Sequence, residues 1–341
     1  MVNLYSDTQT RPTSAMRSAM AAAEVGDEQR GEDPTVNELC SRVASLLGKE
    51  AAIFLPSGTM CNAISMRLHV RPGGDEVILH RWAHPLRFEA GGPAAMSGAV
   101  LHAVDGPFGM FDADTVRAAL RPEGDRYAPR SRLVCVEQTT NIGGGRVWPL
   151  DQVRQVVAVA REYELRTHLD GARLMNAVVA SGVDAAAWCE DFDTAWIDFT
   201  KGLGAPVGAV LAASSEMIQE AWRYKQMWGG AMRQAGIVAA GALHALDHHV
   251  ERLAEDHENA RALAHGLAEL PGVELDPTTV DTNIVVFSVP DAAAFHWALR
   301  DDQVIVGPLD ARRVRAVTHL DVDRAGIDRA LAAARRALAG G

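Results

Sequence analysis

Thr167-His-Leu-Asp-Gly-Ala-Arg173 and Asp198-Phe-Thr-Lys-Gly-Leu-Gly-Ala-Pro-Val-Gly208 decide how the rest of this chain is read. Each begins as a short extended run and then meets small residues. The first ends in a carboxylate, Asp170, and a guanidinium, Arg173. The second presents a hydroxyl, Thr200, and a primary amine, Lys201, followed by glycines that leave room above it. A carboxylate and an amine at strand ends about thirty residues apart are what a pyridoxal phosphate site requires. The aldehyde condenses with a lysine amine, and the pyridine nitrogen needs an anionic partner to stay protonated. The chain has three lysines, Lys49, Lys201 and Lys225, among 33 Lys+Arg. A chain this poor in lysine that keeps one in a glycine-rich turn is expected to use it.

Around these two stretches, helix and strand signals alternate, which gives an α/β class. Residues 36–47 place Val36, Leu39, Val43, Leu46 and Leu47 on one helical face, and Gly48 ends it. Residues 51–56 read as a strand and 57–68 as a helix opened by Ser-Gly-Thr. Further strands are expected at 76–79, 99–104, 133–137, 166–170, 194–199 and 207–212, with helical patterns between several of them, as at 150–163. That is a mostly parallel sheet covered on both faces. Past about residue 245 a long charged helix (246–270) leads to Pro271-Gly272 and a second set: strands at 284–289 and 314–318, helices at 292–299 and 324–338. The expected organisation is an N-terminal arm (1–14), a large domain (15–245) and a smaller C-terminal domain (246–341).

Composition narrows the function classes. With 341 residues, 48% hydrophobic and 23% charged, the chain is ordinary for a globular protein with a substantial core. A net charge of -11 argues against nucleic acid and acidic lipid as partners. No apolar run reaches the roughly 20 residues of a membrane helix, and the first residues lack the regions of a signal peptide. Cys40, Cys61, Cys135 and Cys189 are scattered without CxxC pairs, so neither a metal site nor a disulfide framework is expected. The reading is a cytoplasmic protein.

Pro56-Ser57-Gly58-Thr59 carries a strand into a helix whose first amides and hydroxyls point outward, a cradle for phosphate. No lysine follows, so it is not a P-loop. His84, on a loop after a strand, faces the ligand crevice of such a sheet, where it can stack on a flat cofactor and exchange protons. His168 shares the strand face of Asp170 and is expected to pack and hydrogen-bond. The Ser6 to Thr13 stretch reads as an arm with capping residues, Thr35 or Asp33 as a helix cap, and His244, His248 and His249 as a solvated face.

Taken together these strings resemble the low-specificity L-threonine aldolases, in the β-eliminating-lyase branch of fold-type-I pyridoxal phosphate enzymes. The resemblance runs nearly end to end. It covers Ser6-Asp-Thr, Val25-Gly-Asp, Gly31-Glu-Asp-Pro-Thr35, Pro56-Ser-Gly-Thr-Met60, Glu89-Ala-Gly-Gly92, Glu137 and Asn141. It continues through His168-Leu-Asp-Gly-Ala-Arg173, Lys201 to Gly208, Gly229-Gly, Met232-Arg-Gln-Ala-Gly236, Thr282-Asn283 and Val317-Thr-His-Leu-Asp-Val322. It implies a large domain with a mostly parallel seven-stranded sheet, a smaller α+β domain, and a homotetramer built from dimers with active sites at the dimer interface.

By the same resemblance, Lys201 holds pyridoxal 5'-phosphate, Asp170 meets its ring nitrogen, and His84 stacks on the ring. Ser57, Gly58 and Thr59 form the phosphate turn beside Thr200. Arg233 reaches a neighbouring subunit's phosphate. Ser6, Arg173 and Arg315 grip the substrate carboxylate, which a guanidinium pairs bidentately. The implied reaction is cleavage of a β-hydroxy-α-amino acid, such as threonine or allo-threonine, to glycine and an aldehyde, with His84 or a water it orders as base. Three positions depart from the family. Thr140 stands where a second histidine is usual, Arg30 where tyrosine is usual, and Arg87 where the family often has a neutral side chain or histidine. The two arginines raise the alternative of an acidic, 3-hydroxyaspartate-like substrate. A β-eliminating lyase that releases ammonia, an aminotransferase, and a non-catalytic cofactor-binding homologue remain as competing readings.

Overall fold

Seven apolar runs assemble into one central sheet in the computed structural model, which describes residues 1–339. After a short β1 (Val2–Asn3), the sheet is built from β2 (Ala51–Leu55), β3 (Glu76–His80), β4 (Val100–Val104), β5 (Ser131–Glu137), β6 (Arg166–Asp170), β7 (Thr194–Asp198) and β8 (Ala209–Ala213). Their order is β2-β8-β7-β6-β5-β3-β4. Only β8 runs against its neighbours; every other adjacent pair is parallel. The exception has a local cause. Parallel strands need a crossover helix, whereas β7 and β8 are joined directly by the glycine-rich turn that carries Lys201. Asp170, Asp198 and Glu137 all end parallel strands, so they open onto one edge of the sheet, the usual ligand crevice.

Local chemistry sets the helix starts. Asp33 caps the Pro34–Leu46 helix by accepting from Val36 N at 3.0 Å, and Pro34 fits the first helical position. Its other oxygen accepts from Gly26 N (3.2 Å) and Gly236 N (2.9 Å), so one carboxylate ties three segments together. Thr35 is not the cap; its hydroxyl donates to Glu24 O at 2.6 Å. A Cβ at position 236 would lie 2.5 Å from Asp33 Oδ1, which is why glycine stands there.

The expected 246–270 helix is two helices, Gly236–His248 and Leu253–Ala268. The chain breaks between them because His249 turns inward and its Nδ1 meets Leu203 O at 2.7 Å, in the lysine turn. His249 is therefore buried rather than solvated, while His248 is exposed as expected. The expected 207–212 strand begins two residues later, because Val207 and Gly208 belong to the turn. Beyond the break, β9 (Ile284–Ser288), β10 (Val304–Ile305), β11 (Gly307–Pro308) and β12 (Arg313–Val317) pack with the helices Ala292–Asp301 and Arg324–Ala339 around a second apolar cluster. Residues 340–341 of the expected C-terminal unit lie outside the described residues. The arm joins this cluster: β1 pairs in parallel with β10, and Val2 and Leu4 are buried in it. Among the described residues, no helix is long and apolar enough to cross a membrane.

All three lysines are tied into the fold. Lys49 Nζ donates to Phe192 O at 2.5 Å. Lys225 is wholly buried, 2.8 Å from the equally buried Glu28 and 4.3 Å from the Trp222 ring centroid. Lysine scarcity therefore singles out three structural positions rather than Lys201 alone. Removing one partner of such a buried pair strands the other charge, which costs about 3–5 kcal/mol. Lys225→Ala should lower the unfolding free energy by about that amount in a urea titration, whereas the Lys225→Met/Glu28→Leu double variant should recover most of the loss.

Candidate active site

The lysine turn is shaped by the residue that ends β7. Asp198 Oδ1 accepts from Thr200 N (2.8 Å) and Thr200 Oγ1 (2.7 Å), a turn closed by an aspartate side chain. Its Oδ2 pairs with the Lys201 ammonium. Thr200 therefore spends its hydroxyl on the turn. Two residues back on the same strand face lies Trp196, whose ring centroid is 5.8 Å from Lys201 Nζ. Thr10 of the arm donates its hydroxyl to Lys201 O at 2.9 Å and holds the turn from outside.

The helix Gly58–His69 begins against the same indole. A Cβ on Gly58 would lie 2.2 Å from Trp196 Cη2, so only glycine lets the helix start come this close. Ser57 caps it by accepting from Met60 N at 3.2 Å. Ser57 and Thr59 are exposed, and the amides of Gly58 and Thr59 have no partner among the described residues. Outward-facing amides at the positive end of a three-turn helix suit a phosphate.

One turn into that helix, Asn62 links the remaining groups. Its Nδ2 donates to Asp170 Oδ2 at 2.8 Å and to Glu89 Oε1 at 2.7 Å. Its Oδ1 receives Trp196 Nε1 at 2.9 Å and lies 3.0 Å from His168 Nε2. Asp170 also accepts from Ala172 N at 3.1 Å. His168 is buried, as expected, and burial pushes its pKa down to about 3, so it is neutral. Its Nδ1 lies 2.8 Å from Thr194 Oγ1, which also meets His69 Nε2 at 2.9 Å.

His84 opens the one-turn helix His84–Arg87. Its Nδ1 lies 2.9 Å from Glu89 Oε1, and its N–H donates to Glu137 Oε2 at 2.9 Å. Glu137 Oε1 accepts from Asn141 N at 2.7 Å. Burial alone would lower the His84 pKa, but the Glu89 hydrogen bond and the charges of Asp170, Glu89 and Glu137 outweigh it and raise it. Burial raises Glu89, and burial together with nearby Asp170 takes Glu137 up to about 7.

The arginines divide. Arg173 is bidentate to Asp7, Nε to Oδ2 and Nη2 to Oδ1 at 2.7 Å each, and both side chains are buried. The Asp7 carboxyl is held well below its usual range: the desolvation that would raise it is outweighed by Arg173, Lys201 and Asn283. Arg173 is thus already paired to a carboxylate of its own chain. Arg315 differs. Its Nη1 donates to Asn141 Oδ1 at 2.8 Å and its Nη2 reaches Tyr5 O at 3.4 Å, but no carboxylate pairs with it among the described residues. Burial, then the charge of Arg173, lowers its pKa.

Several expected contributors are engaged within the chain. Ser6 is buried and its oxygen accepts from Thr8 N (3.2 Å) and Thr8 Oγ1 (2.9 Å), which makes it the cap of a short turn. Thr140 is buried and its hydroxyl accepts from Arg146 N at 3.2 Å. Arg30 is exposed and pairs with Glu32 at 2.9 Å; Arg233 pairs with Asp27 at 2.8 Å. Within one chain neither joins the lysine group. Arg87 is exposed, three residues after His84, and without an ion pair among the described residues. The sequence reading gave no role to Asp198, Asp7, Asn62 or Glu89. Asp198 was findable as the turn-forming aspartate two residues before Thr200. Asn62 shows only as a polar residue on a buried helix face.

An amine on a strand-end turn, an acceptor carboxylate held by two N–H donors, a histidine whose pKa its carboxylate neighbours raise and a bare helix N-terminus converge on Trp196 and Asn62. This donor set fits pyridoxal phosphate, with Lys201 for the aldehyde, Asp170 for the ring nitrogen and Gly58-Thr59 for the phosphate.

Comparison with known proteins agrees. Residues 3–290 match the beta-eliminating lyase family. The chain is 39% identical to a probable low-specificity L-threonine aldolase 2 of Arabidopsis thaliana, over 96% of this chain and 94% of that one. It is 40% identical to the low specificity L-threonine aldolase of Escherichia coli strain K12, over 95% of each. The solved threonine aldolase of Leishmania major superposes with a TM-score of 0.85 at 20% identity, covering 99% of this chain and 100% of that one, which establishes the common fold. The chain belongs to the beta-eliminating lyase family, in its low-specificity L-threonine aldolase branch.

Proposed function

We propose that the protein is a pyridoxal 5'-phosphate-dependent aldolase that cleaves a threonine-like β-hydroxy-α-amino acid between Cα and Cβ to give glycine and an aldehyde. The observation that carries this reading is the single connected group of Lys201, Asp170 and His84, beside an arginine, Arg315, that has no carboxylate partner among the described residues. Pyridoxal phosphate, when bound, supplies the electron sink that makes Cα–Cβ cleavage accessible.

The chain's own residues do the rest. Lys201 offers its amine, with Asp198 placed to hold its proton. Asp170, held in place by two N–H donors, would meet the ring nitrogen. The Gly58-Thr59 amides hold the phosphate. Arg315 would take the substrate carboxylate, and that grip would restrict rotation about Cα. His84 donates through Nδ1 to Glu89, which leaves Nε2 free to take the β-hydroxyl proton.

A second reading, a substrate with an acidic β-substituent, is favoured by Arg87, which is exposed three residues after His84 on the same one-turn helix and has no acidic partner among the described residues. The protein assembles as a cytoplasmic homotetramer, a dimer of dimers, in which Arg233 serves a neighbour's site. Exposed Phe88, Met227 and Ile237 support such contacts. The three-part domain organisation, with an arm that fastens to both larger parts, goes with this reading.

Glycine and aldehyde should form in equal amounts, without ammonia, when threonine, phenylserine and 3-hydroxyaspartate are offered; ammonia with a keto acid would point to a β-eliminating lyase instead. A large preference for threonine would remove the acidic-substrate reading. Lys201→Ala should form no glycine. The base works when neutral, and His84 titrates above the ordinary 6.5, so kcat/KM should rise with pH through a value above 6.5. His84→Asn should remove that limb and lower kcat by about 10²- to 10⁴-fold; full turnover across pH would exclude His84 as base.

A further inference from the structure

We propose that Asn62 is a positioning residue for His84: by bridging Glu89 and Asp170 it keeps Glu89 as the acceptor that holds the His84 ring with its Nε2 free. This rests on the aldolase reading, in which His84 is the base.

The orientation of the Asn62 amide is fixed from one side only. Trp196 Nε1 can donate but never accept, so the atom facing it at 2.9 Å is the amide oxygen. Neutral His168 then has its proton on Nε2, facing the same oxygen, and its Nδ1 accepts from the Thr194 hydroxyl. With that proton committed, Thr194 Oγ1 accepts from His69 Nε2. Donors and acceptors therefore run one way, from His69 through Thr194 and His168 into Asn62. Both N–H groups of Asn62 are forced outward, and each meets a carboxylate oxygen, Glu89 Oε1 at 2.7 Å and Asp170 Oδ2 at 2.8 Å.

Glu89 is the weak point of this arrangement. It is buried, burial raises its pKa, and its Oε2 has no partner among the described residues. Its Oε1 takes both the Asn62 amide and His84 Nδ1. Without the amide, two carboxylates held near one nitrogen would face each other across a dry gap, and Glu89 is the one that would take a proton. A protonated Glu89 donates to His84 Nδ1 instead of accepting from it. The neutral imidazole then carries its proton on Nε2, and the free lone pair is lost from the side that faces substrate. The charged groups facing His84 are Glu89 from its own turn, Glu137 from β5 and Asp170 from β6. Of these, Glu89 alone bonds the ring.

The test is the pH dependence of His84 acylation by diethyl pyrocarbonate in the full chain without added cofactor, followed by peptide mass spectrometry, alongside the pH profile of kcat and KM. Asn62→Ala and Glu89→Gln should each lower the His84 midpoint by about one unit or more. Each should reduce kcat tenfold or more with little change in KM, and the double variant should add nothing to the larger single effect. If Asn62→Ala does not fold, Glu89→Gln and Asn62→Ser decide on the same readouts. An unchanged His84 midpoint in the folded variants, with the parent protein forming glycine, overturns the inference. Shifted midpoints in a parent protein that forms no glycine would uphold the bridge and overturn the aldolase reading instead.

Discussion

The indole of Trp196 is the surface on which the site is assembled. Its edge fills the space that a side chain at position 58 would need, its face lies under the Lys201 ammonium, and its N–H dictates which way Asn62 points. Three separate requirements, for a phosphate, an aldehyde and a ring nitrogen, are thus referred to one rigid aromatic group on a central strand. Packing at interior density makes such a group hard to displace. The distances between the binding groups are therefore set before any ligand arrives, which limits what binding has to organise.

Burial and charge are balanced around it with little slack. Glu89, Glu137 and Asp170 act on one another and on His84, and Asn141 links Glu137 to Arg315. Of the cations Lys201, Arg173 and Arg315, two are answered from within the chain, Lys201 by Asp198 and Arg173 by Asp7. The third, Arg315, has only neutral acceptors among the described residues. A half-buried guanidinium without an anion is costly unless a ligand supplies one, and an α-carboxylate is the right shape and charge to do so.

Much of the fold was legible because periodicity and strand ends are local properties. The strands, the Ser57 start, and the positions of Lys201 and Asp170 follow from short-range pattern. What escaped was the partner of each polar group. Asp7 and Arg173 lie far apart in sequence, and nothing near either residue announces the other. The break after His248 depends on His249 finding Leu203 O, again a distant carbonyl. Thr140 stands in the sequence as a departure from a histidine, and nothing near it announces that its hydroxyl closes its own loop through Arg146 N. The site's members were readable, and its wiring was not.

The arm has a consequence for how the molecule comes apart. It runs as an edge strand beside β10, sends Asp7 under Arg173 and rests Thr10 on the lysine turn. The arm is thereby fastened to the C-terminal cluster by Val2 and Leu4 and to the large sheet's crevice by Asp7 and Thr10. Drawing the two parts of the molecule apart would have to break one set of these ties. Fluctuations that would widen the crevice are resisted by covalent continuity through the chain's first turn.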